Sequence, residues 1–128
     1  MILTRLWKND TTTIMIKIKR VYEPAEKKDG YRVLVDRLWP RAVKKEEAAI
    51  DLWLKAIAPS AELRKWFNHE EDKWESFRKK YYQELKQNET VKEMRQVLKQ
   101  HATTTLVYGA KNEDYNHAIV LAEYLRGK

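Results

Sequence analysis

The stretch YRVLVDRLWPR, residues 31–41, constrains the fold of this 128-residue chain more than any other segment. It contains three consecutive apolar residues, Val33, Leu34 and Val35, and then turns abruptly polar at Asp36 and Arg37. An apolar run of this length is too short for a helix and is typical of a strand that is buried on both faces, as in parallel sheets. We therefore predict a buried strand over residues 32–36 that leads into a polar loop.

Other strands and helices alternate with this one along the chain. Ile14, Ile16 and Ile18 alternate with lysines, which predicts an edge strand over residues 14–21 with one solvated face. Two more strands are predicted at residues 51–54 and 104–108. Predicted helices begin after Ser60, span residues 71–87, run from Thr90 toward His101, and fill residues 113–126. This alternation favours an α/β fold, a single compact domain with a small, mostly parallel sheet flanked by helices.

The predicted helix ends carry recognisable capping residues. Ser60 is predicted to cap the helix that follows it, and that helix is expected to end near Asn68 and His69. Thr90 and Glu93 match the reciprocal pattern in which each side chain bonds the backbone amide of the other residue. Gly127 is predicted to end the last helix.

Residues 1–14 are predicted to form a loosely ordered N-terminal extension, and residues 15–128 the single α/β domain. Met15 directly precedes the patterned segment IKIKRVY, and the polar run Thr11–Thr13 separates it from the opening residues. The apolar run in the opening MILTRLWKND is far shorter than a secretory signal core. No later segment has enough uninterrupted apolar residues to span a bilayer. We therefore expect a cytoplasmic protein without membrane contact.

The absence of cysteine excludes several chemistries. Disulfides, thiolate metal sites and cysteine nucleophiles are ruled out, and the composition agrees with a reducing compartment. The three histidines, His69, His101 and His117, are accompanied by no HExxH motif and by no cluster with metal-ligand spacing. We therefore predict that the protein holds no metal and no cofactor.

The net charge of +7 is distributed unevenly along the chain. Residues 1–21 contain five basic side chains and one acidic side chain, so more than half of the excess lies there. A basic surface attracts nucleic acid, anionic metabolites and anionic lipid alike. Charge alone therefore does not choose among these partners.

The polar residues after the buried strand form the first half of a candidate site. In open α/β sheets, ligands bind beyond the carboxyl ends of the strands, where Asp36, Arg37, Trp39 and Arg41 are predicted to lie. Guanidinium groups suit the bidentate recognition of phosphate or carboxylate, and an indole can stack on a ring. Two architectural alternatives stay open. Asp36 and Arg37 can form a mutual salt bridge, or Trp39 can cover the core edge while both arginines pair with the glutamates of KKEEAA.

The second half of the candidate site comes from the strand, loop and helix near the C-terminus. Tyr108 ends the strand, and the loop GAKN places Lys111 at a predicted helix N-terminus, where free amides and the helix dipole favour anions. Asn116 and His117 are predicted about one turn into that helix, where His117 can exchange a proton. The alternative is that His117 packs in the core with its ring nitrogens bonded to backbone.

Together these residues predict an anion-accepting cleft at the strand ends. The candidate catalytic residues are His117, which would exchange the proton, and Asp36, which would orient it or a substrate hydroxyl. Arg64, in the segment LRKWFNH, is placed at the edge of the same pocket. The predicted ligand-binding residues are Arg37, Trp39, Arg41, Arg64, Tyr108, Lys111 and Asn116.

Four segments, VDRLWPR, IDLWLKAIAPS, ELRKWFNH and YGAKNEDYNHAIVLAEYL, together resemble the YeaO-like family, within the wider group called domain of unknown function 488. The resemblance covers residues 15–126 and implies an α/β fold without implying a reaction. In the wider group, a strand running into a cysteine and an acidic residue, and then a Cys-His-Arg triplet, occupies the region similar to residues 108–118. Asn116, His117 and Ala118 stand in the place of that triplet, so the resemblance implies that cysteine chemistry is lost while the histidine is kept. Asp36 and Arg37 are similar to the strand-end pair of the group.

Three functions are consistent with the sequence. The first is a binding cleft for a phosphorylated or otherwise anionic small molecule, such as a nucleotide. The second is a nucleic-acid-binding module that uses the basic N-terminal stretch, including Lys17 and Lys19, and exposed aromatics such as Trp7 and Tyr22. The third is a protein-interaction domain with exposed tryptophans. The sequence decides neither whether the protein is an enzyme nor its oligomeric state.

Overall fold

The computed structural model describes residues 14–127, which contain a four-stranded sheet. The strands are β1 (Met15–Arg20), β2 (Tyr31–Leu34), β3 (Leu52–Trp53) and β4 (Thr103–Tyr108). All neighbouring pairs are parallel, and the strand order is β1-β4-β2-β3. The predicted α/β class with a small parallel sheet is confirmed. Of the predicted N-terminal extension, all but Ile14 lies outside the described residues.

Five α-helices and three short 3₁₀ turns accompany the strands within residues 14–127. The α-helices are α1 (Lys45–Ala48), α2 (Ala61–Phe67), α3 (Trp74–Lys86), α4 (Thr90–Gln100) and α5 (His117–Arg126), and the 3₁₀ turns are Lys27–Asp29, Lys55–Ile57 and Glu71–Lys73. Helix α3 shows why these segments are helical, since Phe77, Tyr81 and Leu85 recur every four residues and are buried. No helix in this part of the chain has the length and apolar character needed to cross a bilayer.

The two central strands of the sheet are buried on both faces. Val33 of β2 and Leu106 and Val107 of β4 have no exposed surface, as the apolar runs predict. Strand β1 lies at an edge, which agrees with its alternating lysines. Strand β2 ends two residues earlier than predicted, although the Val35 amide still donates to the carbonyl of Val107 at 3.0 Å.

The two faces of the sheet carry cores of different size. Helices α2 to α5 cover one face and build the larger core with Val33, Val35 and Leu106. Helix α1 and the loop before it cover the other face, where Leu34 and Val107 are buried. Trp39 packs on this smaller core, and its indole Nε1 donates to a backbone carbonyl at 2.8 Å. The side chain of Trp39 therefore covers the edge of the core.

Helix α5 begins four residues later than predicted. The Asn112 side chain accepts two following backbone amides and so holds the chain in a turn instead of a helix. Asn116 then caps α5 by accepting the N–H of Ile119 at 3.2 Å. The prediction that Asn116 and His117 lie one turn inside the helix was therefore wrong, since Asn116 is the cap and His117 the first helical residue. Lys111, in turn, does not lie at the helix start.

The other predicted helix ends have mixed outcomes. Ser60 caps α2 as predicted, since its Oγ accepts the N–H of Leu63 at 3.0 Å. The reciprocal cap at Thr90 and Glu93 was wrong. Helix α4 begins at Thr90 itself, and the side chain of Asn88 accepts the Thr90 N–H at 2.8 Å, which leaves no capping role for the threonine hydroxyl.

A cluster of buried ion pairs stabilises the start of β2. Asp29 and Arg32 are 2% and 3% exposed, and Nη1 of Arg32 lies 2.7 Å from Oδ2 of Asp29. The same guanidinium donates to the carbonyl of Ala48, at the end of α1, through both Nε and Nη2. Lys19 Nζ lies 3.2 Å from both carboxylate oxygens of Asp29. The cluster links β1, β2 and α1, and each buried charge in it has a partner.

Candidate anion-binding cleft

A cleft of about 210 Å³ lies where β2 and β4 end. It is bordered by the loop after β2, the segment before α2, helices α2 and α3, and the loop between β4 and α5. The lining residues are Asp36, Arg37, Leu38, Ala58, Pro59, Arg64, Phe67, His69, Phe77, Ala110, Tyr115, Asn116 and His117. The cleft therefore occupies the carboxyl ends of parallel strands, where open α/β sheets bind ligands.

Asp36 is held in the cleft from two sides. Its Oδ2 accepts the N–H of Gly109 at 2.9 Å, and its backbone carbonyl accepts the indole N–H of Trp53 at 2.8 Å. A Cβ atom at position 109 would lie 2.8 Å from Oδ2, so this close approach needs a glycine. The second carboxylate oxygen, Oδ1, faces His117.

His117 stands between a backbone carbonyl and this carboxylate. Its Nε2 lies 3.0 Å from the carbonyl oxygen of Val35 and 3.3 Å from Oδ1 of Asp36. Both neighbours are acceptors, so a proton on Nε2 is the one that these two groups can accept in a hydrogen bond. The N–H is directed to Val35, and Oδ1 of Asp36 is left buried without a hydrogen bond. Asp36 thus keeps one unsatisfied acceptor at the cleft.

Two guanidinium groups line the cleft. Arg37 is anchored through Nη2, which donates to the carbonyls of Ala58 at 3.1 Å and Pro59 at 3.2 Å, and its Nε is buried without a partner among the described residues. Arg64 is an exposed residue of α2. Within residues 14–127, neither arginine has a carboxylate oxygen within 4.0 Å. The alternatives in which Arg37 pairs with Asp36 or with the glutamates of KKEEAA do not occur in this part of the chain.

Helix α2, which carries Arg64, is fixed at its start by α3. Glu84 accepts the backbone N–H of Ser60 at 2.9 Å and the Ser60 hydroxyl at 2.6 Å. The same hydroxyl oxygen accepts the Leu63 amide. This chain of hydrogen bonds joins the two helices that border the cleft and fixes the backbone from which Arg64 extends.

Three aromatic residues, Phe67, Phe77 and Tyr115, line the cleft, and Tyr81 and Trp74 contact them without lining it. Phe67 and Phe77 stack with ring centroids 4.4 Å apart, and Tyr81 lies 5.9 Å beyond Phe77 and 6.5 Å from the ring of His117. Tyr115 packs edge-on against Trp74 at 5.2 Å. Burial raises the pKa of Tyr81 well above its ordinary value, so the phenol stays neutral and donates to a backbone carbonyl at 2.7 Å. The wall is therefore apolar and uncharged.

His69 lines the cleft in an unusual backbone conformation. Asn68 and His69 have φ values of +47° and +57°, in the left-handed region that costs most non-glycine residues energy. The His69 ring lies 6.3 Å from that of Phe67. The segment LRKWFNH, which ends in His69, is consistent with a pocket border or with a helix end, and sequence reasoning favoured the helix end and did not select His69 for the site. The left-handed backbone at Asn68 and His69 is not signalled by the sequence.

Five of the predicted site residues meet in the cleft and four do not. The first group is Asp36, Arg37, Arg64, Asn116 and His117, and the second is Trp39, Arg41, Tyr108 and Lys111. Tyr108 is 3% exposed in the larger core, and burial raises the pKa of its phenol. Arg41 and Lys111 are exposed on loops. Besides His69, the cleft is lined by Leu38, Ala110 and Tyr115, which sequence reasoning did not select.

The cleft combines two arginines with a single carboxylate. That carboxylate is engaged by the Gly109 amide and faces His117. In the described part of the chain, no three metal-ligating side chains come together. The cleft therefore places cationic hydrogen-bond donors beside an apolar wall.

Known proteins resemble this chain over most of its length. The family model described as the inactive DUF488-N3 subclade matches residues 15–128. The uncharacterized protein YeaO of Escherichia coli (strain K12) is 50% identical over 111 residues, which cover 87% of this chain and 96% of that protein. The uncharacterized protein Rv3073c of Mycobacterium tuberculosis (strain ATCC 25618 / H37Rv) is 36% identical over 113 residues, or 88% of this chain and 95% of that protein. No solved structure matches the chain. The resemblance to the YeaO-like family is thereby confirmed.

Proposed function

We propose that this chain, which belongs to the inactive DUF488-N3 subclade, binds a compact anionic small molecule in the cleft at the ends of β2 and β4. Arg37 and Arg64 hold the phosphate or carboxylate group of the ligand. The observation that carries the proposal is the presence of two guanidinium groups in one cleft, neither with a carboxylate partner in the described residues. Asn116 and His117, at the start of α5, add the favourable field of a helix N-terminus.

The hydrogen-bonding capacity of Arg37 supports this proposal. Its anchoring to the carbonyls of Ala58 and Pro59 uses Nη2 and leaves the buried Nε unsatisfied. A buried donor without an acceptor costs on the order of 1–3 kcal/mol. The anchoring through Nη2 fixes the position of the guanidinium, and an oxyanion in the cleft would accept a charge-assisted hydrogen bond from its remaining terminal N–H groups. Arg37 is thus positioned in advance for an anion.

The volume of the cleft limits the size of the ligand. Pockets for drug-sized molecules have roughly 300–1,000 Å³, whereas this cleft has about 210 Å³. A phosphate or carboxylate on a small carbon skeleton suits that volume better than a complete dinucleotide does. We therefore favour a phosphorylated or carboxylated metabolite over a large cofactor.

Binding is favoured over catalysis by the residues that are present. The family is described as inactive, and the chain contains no cysteine nucleophile. Nε2 of His117 is engaged by Val35, so any proton transfer by His117 would use Nδ1. In the binding account, the Asp36–His117 pair instead fixes α5 against the end of β2 and shapes the cleft.

Isothermal titration calorimetry of the full chain with inorganic phosphate, methyl phosphate and acetate tests the proposal. We expect saturable binding of at least one anion, and a loss of affinity of about tenfold or more in Arg37→Gln and in Arg64→Gln, since each removes a charge-assisted hydrogen bond. Lys65→Gln is the matched control because Lys65 is exposed next to Arg64 but does not line the cleft. Failure of all three anions to bind, or equal losses in Lys65→Gln and Arg64→Gln, would contradict the proposal.

Nucleic-acid binding is a second candidate because of an exposed aromatic residue beside a cation. Tyr22 is 47% exposed, and the guanidinium carbon of Arg20 lies 4.9 Å from its ring centroid. Such pairs can stack on bases of single strands. Filter binding to DNA and RNA at two salt concentrations separates the candidates. A nucleic-acid module would show a steep salt dependence and weaken in Tyr22→Ala, whereas Arg37→Gln would leave its binding unchanged.

A further inference from the structure

We infer that the anionic group of the ligand is attached to an aromatic ring, an inference that rests on the proposed function and names the ligand class for the same cleft. Charged and aromatic side chains border this cleft together. Arg64 and Phe67 are three residues apart on α2, so they share one face of the helix, and both line the cleft. A ligand held at Arg64 therefore extends along the ring of Phe67.

The aromatic wall comes from separate parts of the chain. Phe67 of α2 and Phe77 of α3 stack at 4.4 Å with an interplanar angle of 22°. Tyr115 reaches the cleft from the loop before α5 and is held by its edge-on contact with Trp74. Phe67 and Phe77 are 6% and 2% exposed, so a planar ring of the ligand would contact them over a small area and would meet Tyr115, which is half-buried, offset-stacked or edge-to-face. An aliphatic body would gain only the area of contact.

Leu38 provides an independent observation. Leu38 directly follows Arg37 in the chain and lines the cleft. It is 71% exposed, more than any other large hydrophobic residue in the described part of the chain. Isolated exposed leucines are common, but an exposed leucine at the border of a cleft that already has an apolar wall extends that apolar surface. An inorganic anion at Arg37 would leave Leu38 in water, whereas a ligand with an apolar body would cover it.

Calorimetry with phenyl phosphate and methyl phosphate on the full chain isolates the contribution of the ring, since the two esters share the same anionic group. We expect phenyl phosphate to bind at least about tenfold more tightly, because the ring buries additional apolar area against the wall. Leu38→Ser should reduce this advantage by several-fold, because it removes apolar surface that the phenyl ring would cover. Met15→Ser is the control, since Met15 is 50% exposed and lies outside the cleft.

The outcomes separate this inference from the proposed function. Equal affinities for phenyl and methyl phosphate would overturn the inference and leave the proposed function intact. An affinity for cyclohexyl phosphate equal to that for phenyl phosphate would also overturn it, because the wall would then select an apolar body without regard to aromaticity. Failure of every ester to bind would overturn the inference, and failure of inorganic phosphate and acetate as well would overturn the proposed function.

Discussion

The Nε2 atom of His117 lies 3.3 Å from the Oδ1 atom of Asp36, a contact that joins the first residue of α5 to the loop after β2. Both residues follow central strands of the sheet, His117 through the loop after β4 and Asp36 directly after Val35. The contact closes one side of the cleft and is supported by the hydrogen bond from Gly109 to Oδ2. Substitutions at Gly109, Asp29 and His69 test this contact, the buried ion cluster at the start of β2, and the lining of the cleft.

Gly109→Ala is expected to displace the Asp36 carboxylate. The added Cβ would lie 2.8 Å from Oδ2, so the carboxylate must shift, and its hydrogen bond with the Gly109 amide would weaken. We expect the free energy of unfolding to fall by roughly 1–3 kcal/mol, as is usual for overpacking, in urea denaturation. Gly127→Ala is the control because its Cβ would meet no atom closer than 3.5 Å, and it should change stability by less than about 1 kcal/mol. Equal effects of the two substitutions would contradict the account.

Asp29→Asn should destabilise the protein strongly. The substitution leaves Arg32, which is 3% exposed, as a buried cation without its carboxylate partner. Breaking a buried ion pair in this way costs about 3–5 kcal/mol. Glu26→Gln is the matched control, since Glu26 also contacts Lys19 but is exposed, and it should cost less than about 1 kcal/mol. A loss below that level in Asp29→Asn would show that the cluster contributes little to stability.

The same carboxylate predicts the response of stability to acid. Burial alone would raise the pKa of Asp29, but the Glu26 amide, Lys19 and Arg32 outweigh it and hold this pKa below its ordinary value of 3.8. A lowered pKa in the folded state means that the stabilisation is present above about 3.8 and is lost as pH falls through the folded value. Wild-type stability should therefore decline below that pH, and Asp29→Asn should decline less over the same window. Parallel pH profiles of the two proteins would contradict the assignment.

His69→Gly should weaken ligand binding without loss of stability. His69 lines the cleft with a φ of +57°, where glycine relieves a left-handed backbone cost of roughly 1–2 kcal/mol but adds flexibility to the unfolded chain. We expect the free energy of unfolding to change by less than about 1 kcal/mol and the affinity for phenyl phosphate to fall several-fold. Asn68→Gly is the control, since Asn68 has the same backbone conformation but does not line the cleft. Unchanged affinity in His69→Gly would remove this residue from the site.

Most of the fold could be predicted from the sequence because local patterns of apolar and polar residues indicate which strand faces are buried. The run Val33 to Val35 and the alternation of Ile16 and Ile18 with lysines identify a buried strand and an edge strand, and the structure has both. The start of α5 could not be predicted in the same way. Its position depends on whether Asn112 or Asn116 caps the helix, and both residue types favour turns and caps.

The candidate site was predictable only where it follows the strand ends. Asp36 and Arg37 come directly after a buried strand, so their location follows from sheet geometry. Whether an aromatic or basic residue in a loop faces the cleft depends on tertiary packing. Trp39 packs against the smaller core, whereas Tyr115 lines the cleft, and no local pattern distinguishes the two.

A titration of the ¹⁵N-labelled full chain with phenyl phosphate, followed by ¹H–¹⁵N correlation spectra, tests the central claim most directly because it reports where the anion binds. The account predicts saturable shifts concentrated at the amides of Arg37, Leu38, Ala110 and His117, and loss of these shifts in Arg37→Gln. Shifts concentrated in β1 or α4, or no shifts at concentrations that saturate other small-anion sites, would contradict the claim that this cleft binds an anion.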